Sequence, residues 1–211
     1  DPDNTYPAGF TLTVLSGSNY TFSGRTITPA TNFNGTLTVP VRMSDGNANS
    51  ATFNAVVSVS QVNDPPTITG QTTISTQEDQ AVTITLSQLT VTDVDNTYPT
   101  GFTITALSGT NYTAAGATVT PAKDFTGVLS VSVVVNDGSV NSAPFSVSIQ
   151  VNPVNDAPVI SGQVVLTVNE DQPLQIRLTD LTVIDTDNPF PTGFTLSIQP
   201  GTNYTVSGTT I

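Results

Sequence analysis

The sequence predicts an all-β protein: antiparallel Greek-key β-sandwich domains joined in a linear array. Composition is the first observation behind this. Apolar residues make up 36% and charged residues only 9%, with Thr, Val, Ser and Asn abundant, as suits many half-buried strands. Gly, Pro and Asn interrupt the chain about every ten residues, as turns between short strands do. The third observation is that the chain repeats itself.

Sliding the sequence by 92 positions aligns it on itself without a gap, and more than half of the overlapping residues are identical. DPDNTYPAGF from Asp1 becomes DVDNTYPTGF from Asp93 and DTDNPFPTGF from Asp185. ITPATNFNGTLTV (27–39) becomes VTPAKDFTGVLSV (119–131), VNDPP (62–66) becomes VNDAP (154–158), and QED (77–79) becomes NED (169–171). A gapless repeat of this length is a whole domain. VNDPP and VNDAP place Pro just after strand-like runs and read as linkers. The expected domains are 1–63 (the C-terminal part of a repeat), 64–155 (a complete repeat) and 156–211 (the N-terminal part of a third).

Within 64–155 the strand signals come in order. AVTITLSQLTVT (81–92) alternates at Val82, Ile84 and Leu86, with a second apolar phase from Leu89 to Val91. FTITAL (102–107) alternates at Phe102 and Ile104, and VLSVSVVV (128–135) and APFSVSIQV (143–151) are long and β-branched. About seven such strands make a sandwich. The Asn-Gly step and NDGSVN are expected to mark hairpins.

Several functions are excluded early. With no Cys there is no disulfide framework, and with no His the commonest general base and transition-metal ligand is missing. Four basic residues against sixteen acidic ones, a net charge of -12, rule against nucleic-acid binding. No apolar run reaches the roughly 18 residues of a membrane helix, so no membrane-spanning segment is expected in this stretch. No Ser, Thr or Asp has a visible His, Lys or Cys to activate it, so no enzyme is expected.

The acidic residues keep their places from copy to copy. All but Asp124 and Asp180, which face Asn32 and Gln88, meet another acid wherever a copy exists; no Lys or Arg meets another base. Asp and Asn favour turns by capping their own backbone. Clustered carboxylates without a cation repel, however, whereas Ca²⁺ takes six to eight oxygens of the kind supplied here. The carboxylates of DxDN therefore read as one half of a calcium site.

The succession VND-x-P, ED, DxDN, NDG, VND resembles cadherin-like domains, and among them the tandem repeats of giant bacterial surface adhesins, with wording similar to secreted proteins of gliding Bacteroidota. Asp64 precedes Asp93 and Asp95 by 29 and 31 residues, close to the cadherin interval between linker Asp and DxD. The resemblance implies Ca²⁺ at the junctions between consecutive domains. For the first junction it implies Asn63, Asp64, Asp93, Asp95 and Asp137. For the second it implies Glu78, Asn155, Asp156, Asp185 and Asp187. Asp1, Asp3 and Asp45 would serve a junction before residue 1, and Glu170 one after residue 211. The LDRE-type acidic motif of animal cadherins is absent, TPAKDFTG (120–127) lying roughly in its place. One or two ions per junction are expected in place of three.

Asn-Tyr-Thr at Asn19, Asn111 and Asn203 matches the glycosylation sequon, but reads first as a turn residue followed by a core Tyr. The steps Tyr6-Pro7, Tyr98-Pro99 and Phe190-Pro191 are candidates for cis peptides or for packing beside the calcium loop. The expected function is a calcium-stiffened spacer in an extracellular adhesin, secreted or at the cell surface, whose partners are neighbouring repeats of the same chain. The alternative is that the repeats themselves bind a ligand, a surface glycan or a matching repeat. The absence of Trp speaks against sugar stacking.

Overall fold

The computed structural model describes residues 6–211, so Asp1 and Asp3 lie outside the described residues. The strands of the first repeat are β1 (Thr11–Val14), β2 (Tyr20–Ser23), β3 (Thr26–Pro29), β4 (Gly35–Ser44) and β5 (Phe53–Val59). The middle repeat opens with β6 (Thr67–Gln71), β7 (Ile74–Gln77), β8 (Val82–Thr83) and β9 (Leu89–Thr92). It continues with β10 (Thr103–Ala106), β11 (Tyr112–Ala115), β12 (Thr118–Pro121), β13 (Gly127–Asn136) and β14 (Phe145–Asn152). The last copy carries β15 (Val159–Gln163) and β16 (Leu181–Ile184). Single 3₁₀ turns at Leu86–Gln88 and Leu178–Asp180 are the helical elements among the described residues. The fold is all-β, as composition and periodicity predict.

The chain divides into two compact units. The first takes residues up to Gly70 together with Leu89–Thr103 and Val134–Ala143. Its sheet runs β1-β4-β5, beside the hairpin β2-β3 and the pair β6-β9. Val14, Tyr20, Leu37 and Val39 form its buried cluster, and Phe33, Val57 and Val59 pack on it half-buried. The second unit takes Gln71–Gln88, Ile104–Val133 and Pro144–Ile211. There β14 lies antiparallel to β13 on one side, with Leu129 opposite Ile149 and Val131 opposite Val147. On its other side β14 runs parallel to β7, with Ile149 opposite Ile74 and Val151 opposite Thr76. Alternate residues of these strands face inward: Leu129, Val131, Val133, Val147, Ile149 and Val151 are essentially inaccessible, while the Ser residues between them face water.

Two expectations gain a physical reason. The change of apolar phase after Leu86 is a 3₁₀ turn, in which Gln88 Oε1 accepts the Thr85 N–H at 2.8 Å before β9 starts a new alternation. Asp180 does the same for Arg177 N–H at 2.8 Å, so acid and amide serve one capping role. Asp124 and Asn32, the other mismatched pair, share a left-handed backbone with φ of 56° and 60°, which Asn and Asp tolerate better than most residues.

One expectation is corrected. Asn34-Gly35 is not a hairpin turn: it joins β3, paired with β2, to β4, paired with β1 and β5. Gly35 takes φ of 110° there, a conformation needed to redirect the chain between two sheets. NDGSVN is the expected turn, closed by the Asn136–Asn141 bridge and an Asp137 N–H bond to the Val140 carbonyl. Residues 60–66 and 153–158 carry no regular structure.

Candidate metal centre

The local chemistry of DxDN explains one of its four carboxylate oxygens. Asp93 Oδ1 accepts the backbone N–H groups of Asp95 and Asn96, each at 2.8 Å. Asp185 Oδ1 does the same for Asp187 and Asn188, at 2.9 and 2.7 Å. To that extent the motif is a self-capping turn. The second oxygen of Asp93 is different: Oδ2 is buried and has no hydrogen-bond partner.

Around it the first unit gathers the linker. Asp64 N–H donates to Asp95 Oδ2 at 2.6 Å, and Gln61 Nε2 donates to Asp95 Oδ1 at 2.9 Å. Asn63 Nδ2 reaches Asp137 Oδ2 at 2.8 Å, while Asn96 Nδ2 donates to Asn63 Oδ1 at 3.2 Å. Asp137 Oδ1 meanwhile takes the Ser139 and Val140 N–H groups of its own turn. The Asn63 amide, and next the Val140 N–H, hold the Asp137 carboxyl below the usual carboxylate range. Asn63, Asp64, Asp93, Asp95 and Asp137 thus belong to one connected network.

The second unit builds the copy. Asp156 N–H donates to Asp187 Oδ2 at 2.6 Å, and Asn188 Nδ2 to Asn155 Oδ1 at 2.9 Å. Here Glu78 is also present, only 4% exposed. Its N–H bonds the Asn152 carbonyl, and its Oε1 accepts the Val154 N–H at 2.6 Å. Glu78 Oε2 and Asp156 Oδ2 are buried without a partner, as Asp93 Oδ2 is. An anionic oxygen removed from water and left without a donor is costly. A hard cation satisfies it, and the donors on hand are carboxylate, amide and backbone oxygens.

Residues 62–152 match the family model of the cadherin-like domain. No curated protein matches the chain. Among solved structures it is similar to mouse cadherin-23 EC22-24, at 18% identity and a TM-score of 0.48 over 90% of this chain and 69% of that one. Human mucin-like protocadherin EC1-2 is 18% identical with a TM-score of 0.36, over 70% of this chain and 86% of that one. The human desmocollin-1 ectodomain is 14% identical with a TM-score of 0.36; this chain covers 41% of its length.

The donors of both networks fit a calcium ion, but no assembled cage is present among the described residues. Among the described residues no three acidic side chains are gathered closely enough to hold a metal ion. Amides of Gln61, Asn63 and Asn96 and the linker N–H groups take up oxygens that would otherwise face a cation. Asp45 caps its own turn through the Asn47 and Ala48 N–H groups, and these bonds, Ala48 first, hold its carboxyl low. Glu170 is exposed. Sequence reasoning did not single out Gln61, Asn96 or Asn188 as parts of the network, nor the Val154 N–H that anchors Glu78. Asn96 and Asn188 were legible in the repeated DxDN. Gln61 was not, because its copy is Pro153.

The three Tyr/Phe-Pro steps are cis. Tyr98 packs edge-on against Phe102 with ring centroids 5.2 Å apart, and Tyr6–Phe10 and Phe190–Phe194 repeat the arrangement. Asn19, Asn111 and Asn203 take left-handed φ of 64–67°, and the Tyr that follows each donates its hydroxyl to the carbonyl five residues earlier. Tyr20 and Tyr112 are core residues as expected, whereas Tyr204 is 40% exposed.

Proposed function

We propose that this chain is a stretch of an extracellular spacer, its domains divided as 1–63, 64–155 and 156–211, with Ca²⁺ held at the linker between consecutive repeats. The carrying observation is the set of buried, unpartnered carboxylate oxygens of Glu78, Asp93 and Asp156. Turn formation needs none of them. Asn63, Asp64, Asp93, Asp95 and Asp137 would hold the ion at the first linker. At the second, Glu78, Asn155, Asp156, Asp185 and Asp187 would do so. The bound cation supplies charge neutralisation and a common anchor for linker and domain; without it, repulsion between carboxylates loosens the joint. Sites of the ~10⁻⁴–10⁻³ M class suit extracellular calcium. The role is mechanical, in a secreted or cell-surface adhesin, and no catalysis is assigned to it.

Calcium titration calorimetry on the whole chain, beside Asp185→Asn/Asp187→Asn, tests this reading. Loss of one class of binding heat in the variant, with the other kept, is expected. No heat in either protein at millimolar calcium would reduce the carboxylates to turn residues.

A further inference from the structure

The acids at the second linker have a cation of their own within reach. Lys123 stands in the turn after β12, and its ammonium donates to both oxygens of Asp124, at 2.6 and 2.7 Å. Among the described residues this is the one ion pair. The turn itself is held: the Ala122 N–H bonds the Asn111 carbonyl, and the Phe125 N–H bonds the Ala122 carbonyl. The Asp124 N–H donates in turn to Asp79 Oδ1 at 3.2 Å. The residue before Asp79 is Glu78, which caps the Val154 N–H with one oxygen and keeps the other buried without a donor. The Lys123 turn is thus tied through residues 78–79 to the linker. Asp124, and beyond it Asp79 and Asp156, hold the Lys123 ammonium above the usual lysine range, as carboxylates around a positive charge do.

The first repeat has no such cation. Thr31 and Asn32 stand where Lys123 and Asp124 do, so the exchange adds one cation and one anion and leaves the net charge alone. The turn does not require it, because Asn32 takes the same left-handed backbone as Asp124, with φ of 60° against 56°. What the pair adds is a positive charge placed among linker carboxylates.

We propose that Lys123 is a tethered counter-cation for the second linker: it offsets the carboxylates of Asp79, Asp124 and Asp156 while no calcium is bound, and it competes with calcium for them. The competition rests on the calcium reading; the offset does not. An ammonium carries one charge and three donors, so it eases repulsion between carboxylates without meeting the six to eight oxygens that Ca²⁺ takes. The linker at 153–158 therefore keeps part of its order in chelator, and calcium binds there less tightly than the oxygen donors alone would allow. Lys123 is 78% exposed, so salt screens both effects.

Lys123→Gln and Lys123→Arg are compared with the parent in the whole chain at low salt. In chelator, a broad-specificity protease should cut 153–158 about two- to fivefold faster in Lys123→Gln and at the parent's rate in Lys123→Arg. Cutting at 60–66 should not change in either. In calcium titration calorimetry, Lys123→Gln should tighten the binding class that Asp185→Asn/Asp187→Asn removes by about two- to fivefold, and high salt should erase the difference. Lys123→Arg should bind as the parent does. Unchanged cutting in Lys123→Gln, or equally fast cutting in Lys123→Arg, would overturn the counter-cation role. Equal calcium affinity in the parent and Lys123→Gln would overturn the competition. Absence of calcium heat in the parent would overturn the calcium reading and the competition together, and cutting in chelator would still decide whether Lys123 offsets the linker carboxylates.

Discussion

Glu78 concentrates the residue-scale argument, because one of its carboxylate oxygens caps the Val154 N–H and the other is buried without a donor. Glu78→Gln keeps the cap and removes the unpaired charge. In chelator the variant should therefore be as stable as the parent or more so, while the stabilisation gained from millimolar calcium should largely vanish. Thermal unfolding of both proteins, with and without the ion, measures the difference. A calcium shift of equal size in the two would remove Glu78 from the site. Gly109 makes a second residue-scale case. A Cβ there would stand 2.6 Å from Tyr112 Cε1, where Tyr112 holds the Leu107 carbonyl. Gly109→Ala should cost about 1–3 kcal/mol by overpacking, and Tyr112→Phe about 1 kcal/mol through the lost hydrogen bond. Urea unfolding curves give both values. The left-handed Asn111 was legible in the sequence as a turn residue, but the collision that fixes Gly109 was not, since it depends on where the Tyr ring folds back.

At the scale of elements, β14 and β5 are the same strand in two surroundings. Alternation in FSVSIQV and FNAVVSV marks the inward row in both, and the structure keeps it in both. What differs is burial: Ile149 is inaccessible between β13 and β7, whereas Val57 is half-buried where β4 is the one strand paired with β5 among the described residues. Ile149→Ala should then cost about 2–5 kcal/mol, the usual range for emptying a core site. Val57→Ala should cost clearly less, because water already reaches part of that side chain. Chemical denaturation of each variant checks the order, and equal costs would mean that Val57 is packed as tightly as Ile149. The Asn34-Gly35 step shows why local turn chemistry misleads. The dipeptide specifies a bend, but whether the bend joins partners in one sheet or carries the chain to another is settled by pairing far along the sequence.

At the scale of the whole molecule, calcium is expected to act on the linkers rather than on the cores. Residues 60–66 and 153–158 have no sheet hydrogen-bond ladder, so a broad-specificity protease in chelator should cut there first, and millimolar calcium should slow that cutting several-fold. Mass spectrometry of the early fragments locates the cuts; fragments arising inside β13 or β14 instead would place the weak points in the sandwiches. The all-β class, the 92-residue period, the inward rows of the long strands and the acids of DxDN and the linkers can all be read from the sequence. Each of these is written in local alternation or in self-similarity, and neither needs distant contacts to be read. Which carboxylate oxygens are spent on turns, and which are left buried and unpartnered, follows from the folded structure. It alone brought Gln61 to Asp95. The reason is physical: a residue's spacing is fixed by the chain, but its hydrogen-bond partners and its burial are fixed by segments tens of residues away.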